Sequence, residues 1–338
     1  MLRTAFSQMT GSSDLSNDTR RVTRLKPHKK WDNEGVASTV GTIMALMVFL
    51  AFLSMFTSQY VPVWMEENEA SHMADAYGQF ASLKQAIDMQ VLVGTLQGTS
   101  TVSMFSPIKL GADGIPMFAA QTAGTLSIYR SLSYNNVSFC FGDGDSIINY
   151  TTNTGGTIKL YAGNRYYIPQ ELAYENDALI IKQSDGEYMK ATPQFKVNQV
   201  GLYAYEISFT QIDLRGDDIN YIGFGTRGIK TSMMSTYTTT YTNLTDVNAT
   251  GDPTKYSNLF INQTTWYPDA WMTSLNQTLA GAGMAWGTNY TITSTKLPNT
   301  DPIDDLYLIS VRIVPTIIMR FSLTVANVEV STSETGAV

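Results

Sequence analysis

Between Glu34 and Glu66 the chain carries no charge for 31 residues, and this run limits what the rest can be. Val36 to Tyr60 is 25 residues, which as a helix at 1.5 Å per residue reaches about 37 Å, enough for a bilayer core of about 30 Å with some tilt. Trp31 stands at one edge, and Tyr60 and Trp64 at the other, where amphipathic rings favour the headgroup layer. A cleavable signal would need a shorter apolar run and a small-x-small cut site, and "SQYVPVW" offers none. The run therefore reads as a retained transmembrane helix over 35–61 rather than a cleaved signal or a buried core helix.

Charge is divided across this segment. Residues 1–34 hold seven of the 22 basic residues against four acids, and the remainder holds 15 basic and 25 acidic. Five of the basic residues lie within fifteen positions of Val36, in "RRVTRLKPHKK", so 1–34 is expected as a cytoplasmic basic tail with the acidic body outside the cell membrane. A basic tail beside a span needs no nucleic acid to explain it, and an acidic, Lys-poor body does not suit phosphate binding.

"EGVASTVGTIMALMVFLAFLSMF" resembles the N-terminal segment of archaeal type IV pilin-like proteins, in which a basic leader, a Gly and a small-residue stretch precede an uninterrupted apolar helix. The resemblance covers Gly35 to Phe56 and is carried by Gly35, Ser38, Val40, Gly41 and Thr42. "GTLSIY" and "YYIPQELAYENDALIIKQ" further resemble a group of archaeal membrane-anchored surface proteins with this N-terminus. The resemblance implies location and architecture, and a possible prepilin-type processing site at Glu34, Gly35 and Val36. Family peptidases cut near a Gly preceded by Lys or Arg; here Glu34 precedes Gly35, which favours a leader that stays attached.

Past Pro62, Met73, Tyr77, Phe80, Leu83, Ile87 and Val91 recur at spacings of three and four, the period of an amphipathic helix. Residues 62–93 are expected as a stalk helix, kinked or restarted at Pro62, with its stripe against the chain's own body. Beyond "GTLQGTSTVS" the period becomes two. "TLSIY", "VSFCF", "TIKLYA", "ALIIK", "YEISFTQIDL", "LYLISVRIV" and "RFSLTVANVEV" read as strands of a mainly antiparallel β-sandwich ectodomain over 94–331, followed by a disordered tail, 332–338. "PDAWMTSLNQTLAGAG" reads as a short helix, and the Thr-rich 235–258 as an exposed hairpin or loop. The fold class expected is mainly β with a long N-terminal α-helix.

Candidates for chemistry are few. Cys140 is the only cysteine and alternates into a strand as a buried thiol, and His72 has no evident nucleophile beside it. No catalytic, cofactor-binding or metal set emerges, and no enzyme activity is expected. "GFGTRG" (Gly223 to Gly228) matches a dinucleotide pattern literally but sits between two strand-like runs, as a glycine hairpin would. Asp143 with Asp145, Asp217 with Asp218, and Asp301 with Asp304 and Asp305 read as solvated turns that lack the later Glu of a calcium loop. Asn-x-Ser/Thr occurs at Asn136, Asn149, Asn243, Asn248, Asn262, Asn276 and Asn289. Chance placement would give about three to four, so these seven are glycosylation candidates. The partners expected are the lipid bilayer and surface-layer proteins, glycans or like subunits, in a structural or adhesive role. The alternative is a processed pilin-like subunit in a surface filament.

Overall fold

A computed structural model describes residues 33–98, 102–143, 146–202, 204–242, 259–298, 305–314 and 318–334, with backbone alone for 33–36, 131, 132, 140–149 and 334. The basic tail and the sequons at Asn243 and Asn248 lie outside the described residues. Contacts divide the chain into Met1–Ser54 and Met55–Val338. In the first unit the described part is helical.

Helix α1 spans Asn33–Met55, a π-helical turn follows over Phe56–Tyr60, and α2 spans Val61–Gln97. Pro62 falls in the first turn of α2, where its missing N–H costs little. Ahead of it the ladder widens, and the Val61 N–H reaches back five residues to the Phe56 carbonyl. The helix stops at Gly98, whose φ of 89° favours glycine and whose N–H bonds to the Gly94 carbonyl at 2.9 Å.

Fourteen described strands follow: β1 (Ser103–Lys109), β2 (Gly124–Asp143), β3 (Ser146–Ala162), β4 (Gln170–Glu175), β5 (Ala178–Gln183), β6 (Gly186–Ala191), β7 (Phe195–Gly201), β8 (Ala204–Arg215), β9 (Ile219–Gly223), β10 (Thr226–Thr242), β11 (Leu259–Thr265), β12 (Tyr290–Lys296), β13 (Tyr307–Ile313) and β14 (Ile318–Glu334). The single helix among them, α3, is Pro268–Gly281, the segment expected to be helical. One sheet has the order β1-β10-β14-β8-β7; the other runs β12-β13-β11-β2-β3-β4-β5-β6, with β9 also paired to β2. The molecule is thus mainly β with a long N-terminal helix. All described pairings between strands are antiparallel except β8 with β14, which are parallel.

Several expectations change. The Thr-rich segment is no loop as far as Thr242: Ser235 to Thr242 forms the second half of β10, paired with β14 through Thr242↔Arg320. Thr and Tyr suit a pleated, half-exposed strand, and polarity alone concealed the alternation. Thr238 and Thr324 hydroxyls meet across it at 2.9 Å, and Thr240 and Ser322 at 3.1 Å. "TLSIY" and "VSFCF" are one strand, β2, whose pairing with β3 shifts register between Tyr129 and Tyr134. "GFGTRG" is not a hairpin, because β9 pairs with β2 while β10 pairs with β1 and β14 in the other sheet. The final strand runs to Glu334, beyond the 331 boundary, and α2 runs to Gln97 rather than 93.

The core has two parts. On β8, Tyr205, Ile207 and Phe209 join one cluster and Ile212 and Leu214 the other; on β14, Phe321, Leu323 and Val325 join the first and Ala326, Val328 and Val330 the second. The register between these strands is unbroken from Arg320 to Glu329, and alternate side chains point to opposite faces. The change of parity therefore places one cluster on each face of this sheet. Hairpin β4–β5 serves both clusters, with Leu172, Tyr174, Leu179 and Ile181 in one and Ala173, Ala178 and Ile180 in the other. Burial on both faces is why "ALIIK" reads as a continuous apolar run.

Candidate functional site

Three places could carry function: the apolar helix, the seat of α2, and a cleft on the larger sheet. Helix α1 has the composition of a span. Its side chains from Val40 to Met55 are largely exposed, Val48 to 70% and Met47 to 64%, and among the described residues one helix is long and apolar enough to cross a membrane. Glu34, Gly35 and Val36, the processing candidates, lie in its first turn.

Helix α2 is no free stalk, since its stripe is core. Met73, Phe80, Leu83, Ile87 and Val91 are buried against β1, β10 and the hairpin β4–β5. Polar residues of α2 bond to the backbone at the end of edge strand β1, just before its start, and on its neighbour β10. The Gln79 side-chain oxygen accepts from the Lys109 N–H at 2.8 Å, and His72 Nε2 meets the Lys109 carbonyl at 3.0 Å. Gln90 Nε2 donates to the carbonyls of Val102 and Thr231 at 3.0 and 2.9 Å. At its Lys109 end the edge is thereby closed to pairing with another strand. His72 thus meets a carbonyl rather than a nucleophile, and burial lowers its pKa.

Glu69, one helical turn earlier, is fully buried. It accepts from the Thr122 hydroxyl at 2.6 Å and from the N–H groups of Arg165, Tyr166 and Tyr167 at 3.1, 2.8 and 2.7 Å. Burial alone would raise its pKa, but these four donors outweigh it and the pKa falls below the ordinary value. Glu69 therefore fastens two loops to the helix.

A second polar centre lies at the β4–β5 turn, "YENDA", which sequence reasoning passed over. Asn176 and Asp177 have φ of 42° and 67°, the two-residue turn that suits a hairpin. Unusually for a turn, it is buried. Glu175 accepts from Ser133, from Thr265 at 2.6 Å, from Thr157 at 3.2 Å and from Trp271 Nε1 at 2.8 Å. Asn176 accepts from the Ile212 N–H at 3.0 Å, and Asp177 from Lys84 Nζ at 2.5 Å and the Gln194 N–H at 2.9 Å. Burial, aided by Asp88 and opposed by Lys84, raises the Asp177 pKa to about 8; Glu175 is also raised, by burial against its donors. The only sequence signal is an Asn-Asp pair between apolar runs, and that signals a turn without its burial.

The cleft, about 650 Å³, lies among Tyr161, Glu171, Lys182, Glu187, Trp266 and Tyr307. Its size is ordinary for a small-ligand site, but its charged groups already have internal partners. Lys159 lies 3.7 Å from Glu171 and 4.8 Å from the Trp266 ring centre. Glu171 also accepts from Tyr267 at 2.5 Å, and Lys182 donates to the Trp266 carbonyl at 3.2 Å. Glu187 caps α3 through the N–H groups of Asp269 and Ala270 at 2.6 and 3.3 Å. Asp305, at the rim, pairs with Lys296 at 2.7 Å. The lining is braced rather than poised.

The remaining candidates are scattered. Asn136 and Asn262 are cross-strand partners whose amides bond to each other at 3.3 Å, with Asn136 also donating to the Thr152 carbonyl and to Asn153. Asn276 is exposed on α3 and accepts from Tyr290 at 2.6 Å; Asn289 is half-buried and accepts from the Ala285 N–H at 2.8 Å. The side chains of Asn149, Cys140 and Asp143 lie outside the described residues, as do Asp145, Asp301 and Asp304. Asp217 and Asp218 are exposed, and Asp218 accepts from the Arg130 N–H at 2.7 Å. Among the described residues no three metal-ligating side chains gather.

No family model matches the chain, and no curated protein or solved structure matches it either.

Proposed function

We propose that the chain is a single-span, membrane-anchored surface protein, N-terminus inside, whose β body has a structural or adhesive role without catalysis. The observation that carries this reading is helix α1, uncharged from Gly35 to Met55 and apolar along its exposed length, none of whose residues belongs to the two core clusters of the body. A helix apolar all round needs lipid or other helices to cover it. The internally paired lining of the cleft supports a role in contact rather than chemistry. Among the sequons whose side chains are described, Asn276 is the acceptor best presented for a glycan, and Asn136 and Asn262 are the poorest, because a sugar on either amide would disrupt their ladder.

An alternative shares the same helix: a processed pilin-like subunit whose α1 packs against other copies. The basic leader discriminates, since burying even one unpaired charge in a filament core costs several kcal/mol. Protease added to intact cells should remove the body and leave an epitope tag before Arg20 protected. Mass spectrometry of the extracted protein should recover "LKPHKK" from the leader. A digested tag on sealed cells overturns the orientation, and a mature N-terminus at Gly35 or Val36 in sheared filaments favours the subunit.

A further inference from the structure

The loop between β1 and β2 carries an apolar tip that the fold does not use. Ile115 to Phe118 forms a tight turn, with the N–H groups of Phe118 and Ala119 bonding to the Ile115 carbonyl at 3.0 and 2.9 Å. Pro116 takes its second position and Met117 its third, where φ is 69°. Glycine or asparagine ordinarily occupies that position, because a side chain there is strained. Met117 is also completely exposed, and Phe118 is 42% exposed. Strain and exposed apolar surface both oppose folding, and together at one tip they point to a partner outside the fold.

The place of the tip identifies that partner. The Phe118 ring packs edge-on against Phe56, 5.2 Å between centres, and Phe56 in turn contacts Tyr60 at 5.8 Å and Trp64 at 5.5 Å. Phe56 lies inside the uncharged run, four residues before Tyr60, so the tip reaches the level of the span's own end. Tyr60 and Trp64 are themselves half-exposed, as interfacial aromatics are. No charge occurs from Gly114 to Tyr129. The tip is also held rigidly. Bridges pair Ala112 with Thr122 and Ile115 with Ala119, Glu69 holds Thr122, and a Cβ on Gly111 or Gly114 would strike the Thr122 or Ala119 carbonyl.

We propose that the 115–119 turn is a second membrane contact, with Met117 and Phe118 seated in the headgroup–acyl boundary of the bilayer that α1 crosses. This rests on the anchor reading above. A rigid apolar tip beside an anchoring helix fixes the body's tilt and rotation at the surface, which one helix alone leaves free. The partner is phospholipid, recognised by apolar burial and not by a headgroup charge.

Full-length protein bearing Cys140→Ser would be labelled with an environment-sensitive fluorophore at Met117→Cys, Leu202→Cys or Phe49→Cys, and reconstituted into phosphatidylcholine vesicles. Leu202 is an exposed position on the body. The Met117 label should shift its emission to the blue relative to Leu202, lose quenching by aqueous iodide, and be quenched by a spin label shallow on the acyl chain more than by a deep one. The Phe49 label should be quenched by the deep one. An iodide-accessible Met117 label with a lipid-quenched Phe49 label overturns the second contact and spares the anchor. A Phe49 label open to iodide overturns both. Shielding of Met117 that depends on the protein-to-lipid ratio would assign the tip to a second copy and overturn the lipid contact. Because labelling changes Met117 itself, a Phe118→Cys label provides an independent reading, with the same shallow quenching expected.

Discussion

Helix α1 and helix α2 adjoin in sequence, but they differ in what their apolar residues meet. From Val40 to Met55 nearly every large side chain is exposed, whereas Met65, Phe80, Leu83 and Ile87 of α2 are fully buried. The difference lies in the pattern, not in the helical state. The first stretch is apolar on all sides and offers no polar face to water; the second sets Glu66, Glu67 and Asp75 opposite its stripe, so one side suits solvent and the other the sheets. The two adjoining helical segments thus differ both in mean hydropathy and in what their apolar residues meet: the first is long and apolar enough to cross a membrane, and the second keeps one face for the sheets.

The largest test of this contrast truncates a ring in each segment. Phe80→Ala should cost about 3–5 kcal/mol in unfolding of the detergent-solubilised full chain, because a cavity opens in a closed core. Phe49→Ala in the same micelles should leave the body's melting temperature unchanged. Equal losses would mean that α1 is packed against the body and would break the comparison.

A smaller effect is expected at Glu69, which holds α2 through polar contacts. Glu69→Gln should lose about 1.5–3 kcal/mol, the scale of hydrogen bonds to a charged group. The folded pKa lies below the ordinary 4.5, so this stability is fully present above that value and is lost as pH falls through the lowered folded pKa. Acid titration of unfolding should therefore show a loss in the native chain that is absent from the Gln variant. An unchanged acid limb would remove Glu69 from the set of groups that hold the helix.

The smallest effect sharpens the contrast within α2 itself. Leu96 is 77% exposed, so Leu96→Lys should change stability by less than about 0.5 kcal/mol in chemical unfolding. A large loss there would extend the buried stripe to the end of the helix.

The sequence by itself determined an apolar helix long enough to span a membrane, both helical stretches of 33–97, the short helix α3 and the apolar runs of the strands. Each of these is written in the spacing of near neighbours: an unbroken apolar run, steps of three and four from Met73 to Val91, alternation in "RFSLTVANVEV". Even the two-faced core left a trace, since the apolar positions of β14 change parity between Val325 and Ala326. Tertiary structure alone decided that β8 and β14 pair in parallel, that β9 and β10 part into different sheets, and that the Thr-rich stretch from Ser235 to Thr242 is strand. It also decided that Glu69 and the "END" turn are buried, and that Phe118 meets Phe56. The donors that make such burial tolerable come from far away along the chain: Tyr167 lies 98 positions from Glu69, and Trp271 lies 96 from Glu175. A polar residue can be buried only where partners converge on it, and that convergence is a property of the folded chain rather than of any local spacing.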